Sequence, residues 1–293
     1  MVSAIRSRRP GQAVRSVVLF YNEQKPDAQV TLRPVLKMLR DKRVTVWMGH
    51  TPEGRKRLAD ADVAIALGGD GTMLRVARSL APHAVPLFGI NSGGLGFLSG
   101  TELKELKRNL ATVLDGGFEL QERWMLKAEV LRGGRRTFGP NIALNDCVIR
   151  CGDTARAITL RAFSGQSFLA DYFGDGLIIS TPTGSTAYAL AAGGPVVDPR
   201  LAAFLIAPIC PHTLTQRPVI IPAEHPVSVR LVVRQGHEES PEALMSLDGQ
   251  IGCALRLGEE VRIRRFEKPL RLLVNPKRSY FETLRRKLKW GER

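Results

Sequence analysis

The ten residues Val63-Ala64-Ile65-Ala66-Leu67-Gly68-Gly69-Asp70-Gly71-Thr72 decide how the first third of the chain folds. Val63–Leu67 is a short apolar run and reads as a buried strand. Two glycines end it, and Thr72–Leu80 reads as a helix. The same alternation extends in both directions. Upstream, Val17–Tyr21 and Val44–Trp47 are short strands. Between them Leu32, Val35, Leu36 and Leu39 follow the i, i+3, i+4, i+7 spacing of an amphipathic helix. Downstream, Val85–Ile90 is a fourth strand. Leu103, Leu106, Leu110 and Val113 then mark a helix, with Thr101 as its expected N-cap. Strands alternating with helices predict a doubly wound α/β domain around a parallel sheet, with ligands beyond the carboxyl ends of its strands.

The loop Gly68-Gly69-Asp70-Gly71-Thr72 stands at such a strand end. Glycines let a phosphate approach backbone N–H groups, and a helix N-terminus adds partial positive charge. An aspartate is out of place in a loop that only binds phosphate. It suits a base that takes a proton from an attacking hydroxyl, or a ligand for Mg²⁺ in phosphoryl transfer. The plain alternative is an Asp-Gly turn. A second glycine cluster, Asn91-Ser92-Gly93-Gly94-Leu95-Gly96-Phe97, follows the next strand.

After Asp115-Gly116-Gly117 the pattern changes. Val227, Val229, Leu231 and Val233 alternate with period two, as do Ile158 with Leu160 and Val261 with Ile263. Turn signals separate these runs, so a β-rich, sandwich-like domain is expected over 118–268. The chain then divides into a basic arm (1–15), an α/β domain (16–117), the β-rich domain and a C-terminal segment (269–293). In that segment Phe281, Leu284 and Leu288 share one helix face.

Lys and Arg number 43 against 28 Asp and Glu, a net charge of +15, which calls for an anionic partner. Arg6, Arg8, Arg9 and Arg15 stand without acids in the first 15 residues. Aromatic residues make up only 6% of the chain, against a base-stacking surface, so no nucleic-acid partner is expected. No apolar stretch approaches the roughly 20 residues of a membrane span, and no apolar core follows the N-terminal arginines. A cytoplasmic protein without a membrane partner is expected. Cys147, Cys151, Cys210 and Cys253 fit no zinc or redox spacing and read as reduced thiols, most of them buried. The five histidines show no metal-ligand spacing.

A third signal is Asp175-Gly176-Leu177-Ile178-Ile179-Ser180-Thr181-Pro182-Thr183-Gly184-Ser185-Thr186-Ala187-Tyr188, a buried strand running into a polar turn and a short helix that Gly193-Gly194-Pro195 ends. Its hydroxyls and amides suit a ribose or a base, and Tyr188 could stack on adenine. Taken with the two glycine loops, Asn145-Asp146, Pro211-His212-Thr213-Leu214, Asp248-Gly249-Gln250 and the closing Tyr280–Trp290 segment, it resembles the NAD kinases, the bacterial form most closely. The resemblance covers nearly the whole chain.

It implies transfer of the ATP γ-phosphoryl group to the adenosine-ribose 2′-hydroxyl of NAD, with polyphosphate as an alternative donor. It also implies Mg²⁺, a homo-oligomer (dimer or tetramer) and a C-terminal helix that returns to the first domain. Under it Asp70 is the catalytic base, Gly71 lies beside it and Arg75 faces phosphate. Gly68, Gly69, Gly71 and Thr72 form the phosphate loop. Asn145 and Asp146 hold NAD through ribose and adenine. Arg156 and Asp175 touch the dinucleotide, Thr186, Ala187 and Tyr188 frame the adenine, Ala189, Leu190 and Ala191 continue that wall, and Gln250 adds a polar contact. Phe173 stands where many relatives carry a basic residue, and Asp146 where many carry Glu. A lipid kinase sharing the Gly68–Thr72 loop and a non-catalytic nucleotide-binding protein are the competing expectations.

Overall fold

The computed structural model describes residues 12–23, 26–91, 93, 96–152, 157–233, 242–289 and 291. Its contacts divide the chain into two units, one of Met1–Glu122 with Leu270–Arg293 and one of Arg123–Pro269. In the first unit, strands and helices alternate as β1 (Ser16–Tyr21), α1 (Pro26–Asp41), β2 (Thr45–Met48), α2 (Pro52–Lys56), β3 (Val63–Leu67), α3 (Asp70–Leu80) and β4 (Leu87–Asn91). A two-residue strand β5 (Thr101–Glu102), helix α4 (Leu106–Leu114) and β6 (Glu119–Arg123) follow.

The second unit is built from strands. These are β7 (Leu126–Arg132), β8 (Arg135–Ala143), β9 (Asp146–Cys151), β10 (Ile158–Ser164), β11 (Ser167–Gly174) and β12 (Gly176–Ser180). The short helix α5 (Tyr188–Ala191) leads to β13 (Ala203–Ile209), β14 (Val219–Pro222), β15 (Val227–Val232), β16 (Ala243–Leu247), β17 (Ile251–Leu255) and β18 (Glu259–Arg265). The chain ends in the first unit with β19 (Leu270–Val274) and α6 (Tyr280–Leu288).

The first unit's sheet runs β2-β1-β3-β4-β19-β6, with β5 beside β4. The pairs β1–β2, β1–β3, β3–β4 and β4–β19 are all parallel. Every residue of β3 is buried, as expected of a parallel strand covered on both faces, which is why it reads as an unbroken apolar run. Val35 and Leu39 of α1 and Leu106, Leu110 and Val113 of α4 close one shared core with Val17, Leu19, Ile65 and Leu67.

Helix α3 starts at Asp70, two residues before the position the apolar spacing gives, because the helical turn forms from polar and glycine residues. Thr101 does not cap a helix. It pairs with Ile90 in β5 and accepts a hydrogen bond from Asn109 Nδ2 at 3.2 Å, and a 3-10 turn over Leu103–Glu105 precedes α4. Strand β6 belongs to the parallel sheet's unit, past residue 117.

In the second unit two antiparallel six-stranded sheets, β11-β10-β15-β18-β7-β8 and β14-β13-β12-β9-β16-β17, contribute to one core. Leu126, Leu160, Val229 and Val261 come from the first sheet and Cys147, Ile149, Leu177 and Met245 from the second. Alternate residues of β15 and β18 face inward, matching the period of two. Of the four thiols only Cys147 is buried. Cys151 and Cys253 are half-buried and Cys210 is exposed, since it sits just past β13 with a left-handed φ of 43°. Among the described residues no helix is long and apolar enough to cross a membrane.

Ser279 Oγ caps α6 by accepting from the Glu282 N–H at 3.1 Å. Leu284 is buried to 2% exposure, and ion pairs join Arg278 to Glu105 and Arg286 to Glu102. Burial and surface charge should differ sharply in weight here. We expect Leu284→Ala to lower unfolding free energy by about 2–4 kcal/mol and Arg286→Ala by less than about 1 kcal/mol, read from urea denaturation.

Candidate active site

Two constellations emerge, one in each unit. In the first, β3 and β4 lie side by side and both glycine loops leave their carboxyl ends. The sheet register continues into the loop, where the Gly68 N–H donates to the Ile90 carbonyl at 2.9 Å. Gly68 has φ +147°, and a Cβ there would lie 2.6 Å from Thr72 Oγ1, so this glycine serves the turn itself. Thr72 is buried beneath it. The residues of this loop that face outward are Gly69, where a Cβ would meet no atom within 4 Å, and the exposed Gly71. Arg75 is exposed one turn after Gly71 on α3.

Asp70 opens α3, and its carboxylate reaches across to the second glycine cluster. It accepts from the Phe97 N–H at 3.3 Å and the Leu98 N–H at 3.4 Å. Gly96 lies flat against it, since a Cβ there would stand 2.3 Å from Asp70 Oδ1 and 2.6 Å from Ser99 Oγ. The second cluster therefore holds the aspartate of the first. Gly96 carries this by the absence of a side chain, a need that no spacing in the sequence shows. Ser92, Gly94 and Leu95 lie outside the described residues.

In the second unit the turn Leu144–Asp146 is the centre. Asp248 Oδ2 accepts from the Leu144 N–H at 3.1 Å, and its Oδ1 accepts from the N–H groups of Asn145 at 2.8 Å and Asp146 at 3.3 Å. On the carbonyl side, Thr181 Oγ1 donates to Leu144 O at 2.6 Å, while the Thr181 N–H and Ser180 Oγ donate to Asn145 O at 2.7 and 3.1 Å. Gly184 packs so close that a Cβ would lie 2.3 Å from Asn145 O. Three separate sequence motifs thus meet on one turn. Asn145 is half-buried, and among the described residues its side chain has no hydrogen-bond partner.

The Thr183–Thr186 3-10 turn leads into α5, with Ser185 Oγ donating to Pro182 O and accepting from the Val197 N–H. Thr186 and Ala187 are half-buried and Tyr188 is exposed. The expected wall over Ala189–Ala191 is not continuous. Ala189 is fully buried in the core with Val148, Ile178 and Leu205, Leu190 is half-buried and Ala191 is exposed, because a helical turn cannot point three successive side chains one way.

Asp175 accepts a hydrogen bond from the Cys210 thiol and is half-buried. Phe173 packs edge-on against His212, ring centroids 4.8 Å apart. Gln250 is exposed beside the Asp248 turn. Arg156 lies outside the described residues.

Burial, and then the charge of Asp248, push the Asp146 carboxyl up to about 7. Its pKa in the folded chain thus exceeds that in the unfolded chain, so folding favours the protonated form. The stability this carboxyl permits is complete below about pH 4 and is lost as pH rises through about 7. We expect Asp146→Asn to be more stable than the natural chain by roughly 1–3 kcal/mol at pH 8, with the gap closing near pH 4, in urea melts across that range.

A carboxylate held between glycine loops at the carboxyl edge of a parallel sheet, in a chain that also carries a polar turn clasped within a β-sandwich, is an arrangement suited to a phosphotransferase acting on nucleotides. The comparisons narrow the class. The family model described as ATP-NAD kinase N-terminal domain matches residues 22–118, and the ATP-NAD kinase C-terminal domain matches 144–274. A protein named NAD kinase from Geobacter metallireducens is 39% identical over 289 residues, 96% of this chain and 100% of that one. Another, from Geobacter sulfurreducens, is 44% identical over 233 residues, 80% of each. An NAD kinase from Archaeoglobus fulgidus, solved in complex with ATP, matches with a TM-score of 0.77 at 25% identity, covering 94% of this chain and 98% of that one. Yeast NADH kinase complexed with NADH shares the fold, with a TM-score of 0.85 at 22% identity over 96% of this chain and 89% of that one. The chain belongs to the ATP-NAD kinase family.

Proposed function

We propose that this chain transfers the γ-phosphoryl group of ATP to the 2′-hydroxyl of the adenosine ribose of NAD, giving NADP. The observation that carries the reading is Asp70, a carboxylate fixed by two backbone N–H groups and a side-chain-free glycine at the parallel sheet's carboxyl edge. The relatives named NAD kinase support the acceptor, and the ATP complex of the Archaeoglobus protein supports the donor. A lipid kinase has no use for the clasped Asn145-Asp146 turn.

Phosphoryl transfer asks a protein chiefly for position and charge. Asp70 aligns the ribose hydroxyl and takes its proton as the new O–P bond forms and the bond from the γ-phosphorus to the bridging oxygen of ATP breaks, with ADP as the leaving group. The outward residues Gly69 and Gly71 let the donor phosphates come close to the first turn of α3, whose N–H groups point out of the helix. Arg75 supplies positive charge one turn along. Asn145 offers an amide for hydrogen bonds to NAD. Asp146, protonated below about pH 7, donates as well as accepts there. Thr186, Ala187 and Tyr188 border the adenine, and Asp175 and Gln250 add polar contacts.

Among the described residues no group of three or more His, Cys, Asp or Glu forms a metal cage. Mg²⁺ binds through one or two carboxylates, substrate phosphates and water. With Asp70 as the base, Mg²⁺ would be held by the donor phosphates and water, and when bound it would neutralise charge on those phosphates; as the alternative, Asp70 would serve as its carboxylate ligand. The reading carries with it a cytoplasmic setting, in keeping with four free thiols, and a homo-oligomer whose size sedimentation would give.

The test is NADP formation from NAD, ATP and Mg²⁺ by the purified protein, with NADH and polyphosphate as alternative acceptor and donor. Asp70→Asn should lower kcat by roughly 10²–10⁴ with folding intact. Wild-type turnover in that variant removes Asp70 from the role, and no NADP from folded protein with either donor sinks the proposal. Gly96→Ala should also depress kcat, because its Cβ must displace the carboxylate. Combined with Asp70→Asn it should add little, since both act on one group.

A further inference from the structure

Asp248 belongs to no expected contact, yet the acceptor-side turn hangs on it. It stands in the turn between β16 and β17, where Gln250 N–H donates to Leu247 O at 2.9 Å. Asp248 has φ 51° and Gly249 has φ 62°. Two successive left-handed residues are what a tight Asp-Gly hairpin turn requires. Asn or Gly would meet that need at least as well. The carboxylate does something further. Its two oxygens take the three consecutive N–H groups of Leu144, Asn145 and Asp146, which converge on it as a nest of amides converges on an anion. The exchange is mutual, because the Asp248 N–H donates back to Asp146 O at 3.0 Å.

This arrangement has a cost. It sets a second carboxylate near the buried Asp146, where like charges repel. A turn needed only to close a hairpin would avoid that repulsion. The geometry points to Asp248 as a positioning residue for the acceptor: by gathering the three N–H groups it fixes the Leu144–Asp146 turn and so aims Asn145 and Asp146 at NAD. This rests on the reading of that pair as NAD contacts. Asp248 acts through them and touches no reacting atom. The opposite side of the turn is already fixed by Ser180, Thr181 and Gly184, so losing Asp248 frees only the N–H side. The defect should therefore be a misplaced contact within a folded domain.

Steady-state kinetics of the full chain test this. Asp248→Gly keeps the left-handed backbone without strain and removes both acceptor oxygens, and with them all three hydrogen bonds. Asp248→Asn also tolerates that backbone, keeps one acceptor oxygen and loses the charge. We expect KM for NAD to rise roughly 10- to 100-fold in Asp248→Gly and by less in Asp248→Asn, with KM for ATP within about twofold of wild type in both. A lowered Tm with KM for NAD unchanged, or an equal rise in both KM values, overturns the inference and leaves Asp248 a structural turn residue. If Asp248→Gly fails to fold, Asp248→Asn decides by the same criterion. Asn145→Ala is measured alongside. Should it leave KM for NAD unchanged, the assignment of that pair fails and the inference falls with it. Should it raise KM for NAD while neither Asp248 variant does, the inference alone fails.

Discussion

Both constellations depend on one interaction, a carboxylate held by the backbone N–H groups of a distant loop. Asp70 reaches from the start of α3 to Phe97 and Leu98, and Asp248 reaches from a hairpin turn to Leu144, Asn145 and Asp146. Hydrogen bonds between a charged acceptor and amides are stronger than neutral ones and fix direction as well as distance. They also satisfy loop N–H groups that no strand or helix would pair. The same bonds that make these loops tolerable to the fold thereby give them a definite shape. Elsewhere the chain uses glycine for the complementary purpose. Gly96 and Gly184 let a carboxylate and a carbonyl come within distances that a Cβ would forbid.

The architecture of the first unit was legible because parallel strands buried on both faces leave unbroken apolar runs. Val63–Leu67 is the clearest case, and the period of two in β15 and β18 marked the sandwich as plainly. Element edges were less legible where the deciding atoms are far apart in sequence. Thr101 looks like a cap from its neighbours alone, but its backbone pairs with β4 and its hydroxyl is taken by Asn109. Helix α3 begins at Asp70 and not at Thr72, since glycine and aspartate give no apolar period to read. Cysteine burial is illegible for a similar reason: Cys210 follows a buried strand but turns outward with a left-handed backbone.

The site divides along the same line. Asp70 announced itself through residue type and local context, and the Asn145-Asp146 pair through the family resemblance. Gly96, Thr181 and Asp248 did not, because each acts through a contact across tens of residues. The Asp248-Gly249 dipeptide did carry a readable signal, that of a hairpin turn. Nothing in it told which amides its carboxylate would meet. The net charge of +15 was similarly coarse. Several of the arginines that produce it stand on strands of one sandwich sheet. There Arg230 and Arg262 share Glu260, Arg264 pairs with Glu129, and Arg161 pairs with Asp171. Charge placed there does not by itself attract a dinucleotide to a particular turn.

Phe173 shows how a local departure is absorbed. A cation at that position would sit two residues from Asp175, on a strand end already bonded to the next segment through His212 N–H and Phe173 O at 2.9 Å. The chain instead packs the phenyl ring against His212, and Asp175 takes the Cys210 thiol as its donor. The thiol is a weak donor. Asp175 consequently keeps acceptor capacity. In a protein that binds a hydroxyl-rich dinucleotide, that capacity is available to a ribose hydroxyl. The proposed contact of Asp175 with the dinucleotide then calls on hydrogen bonding to a hydroxyl.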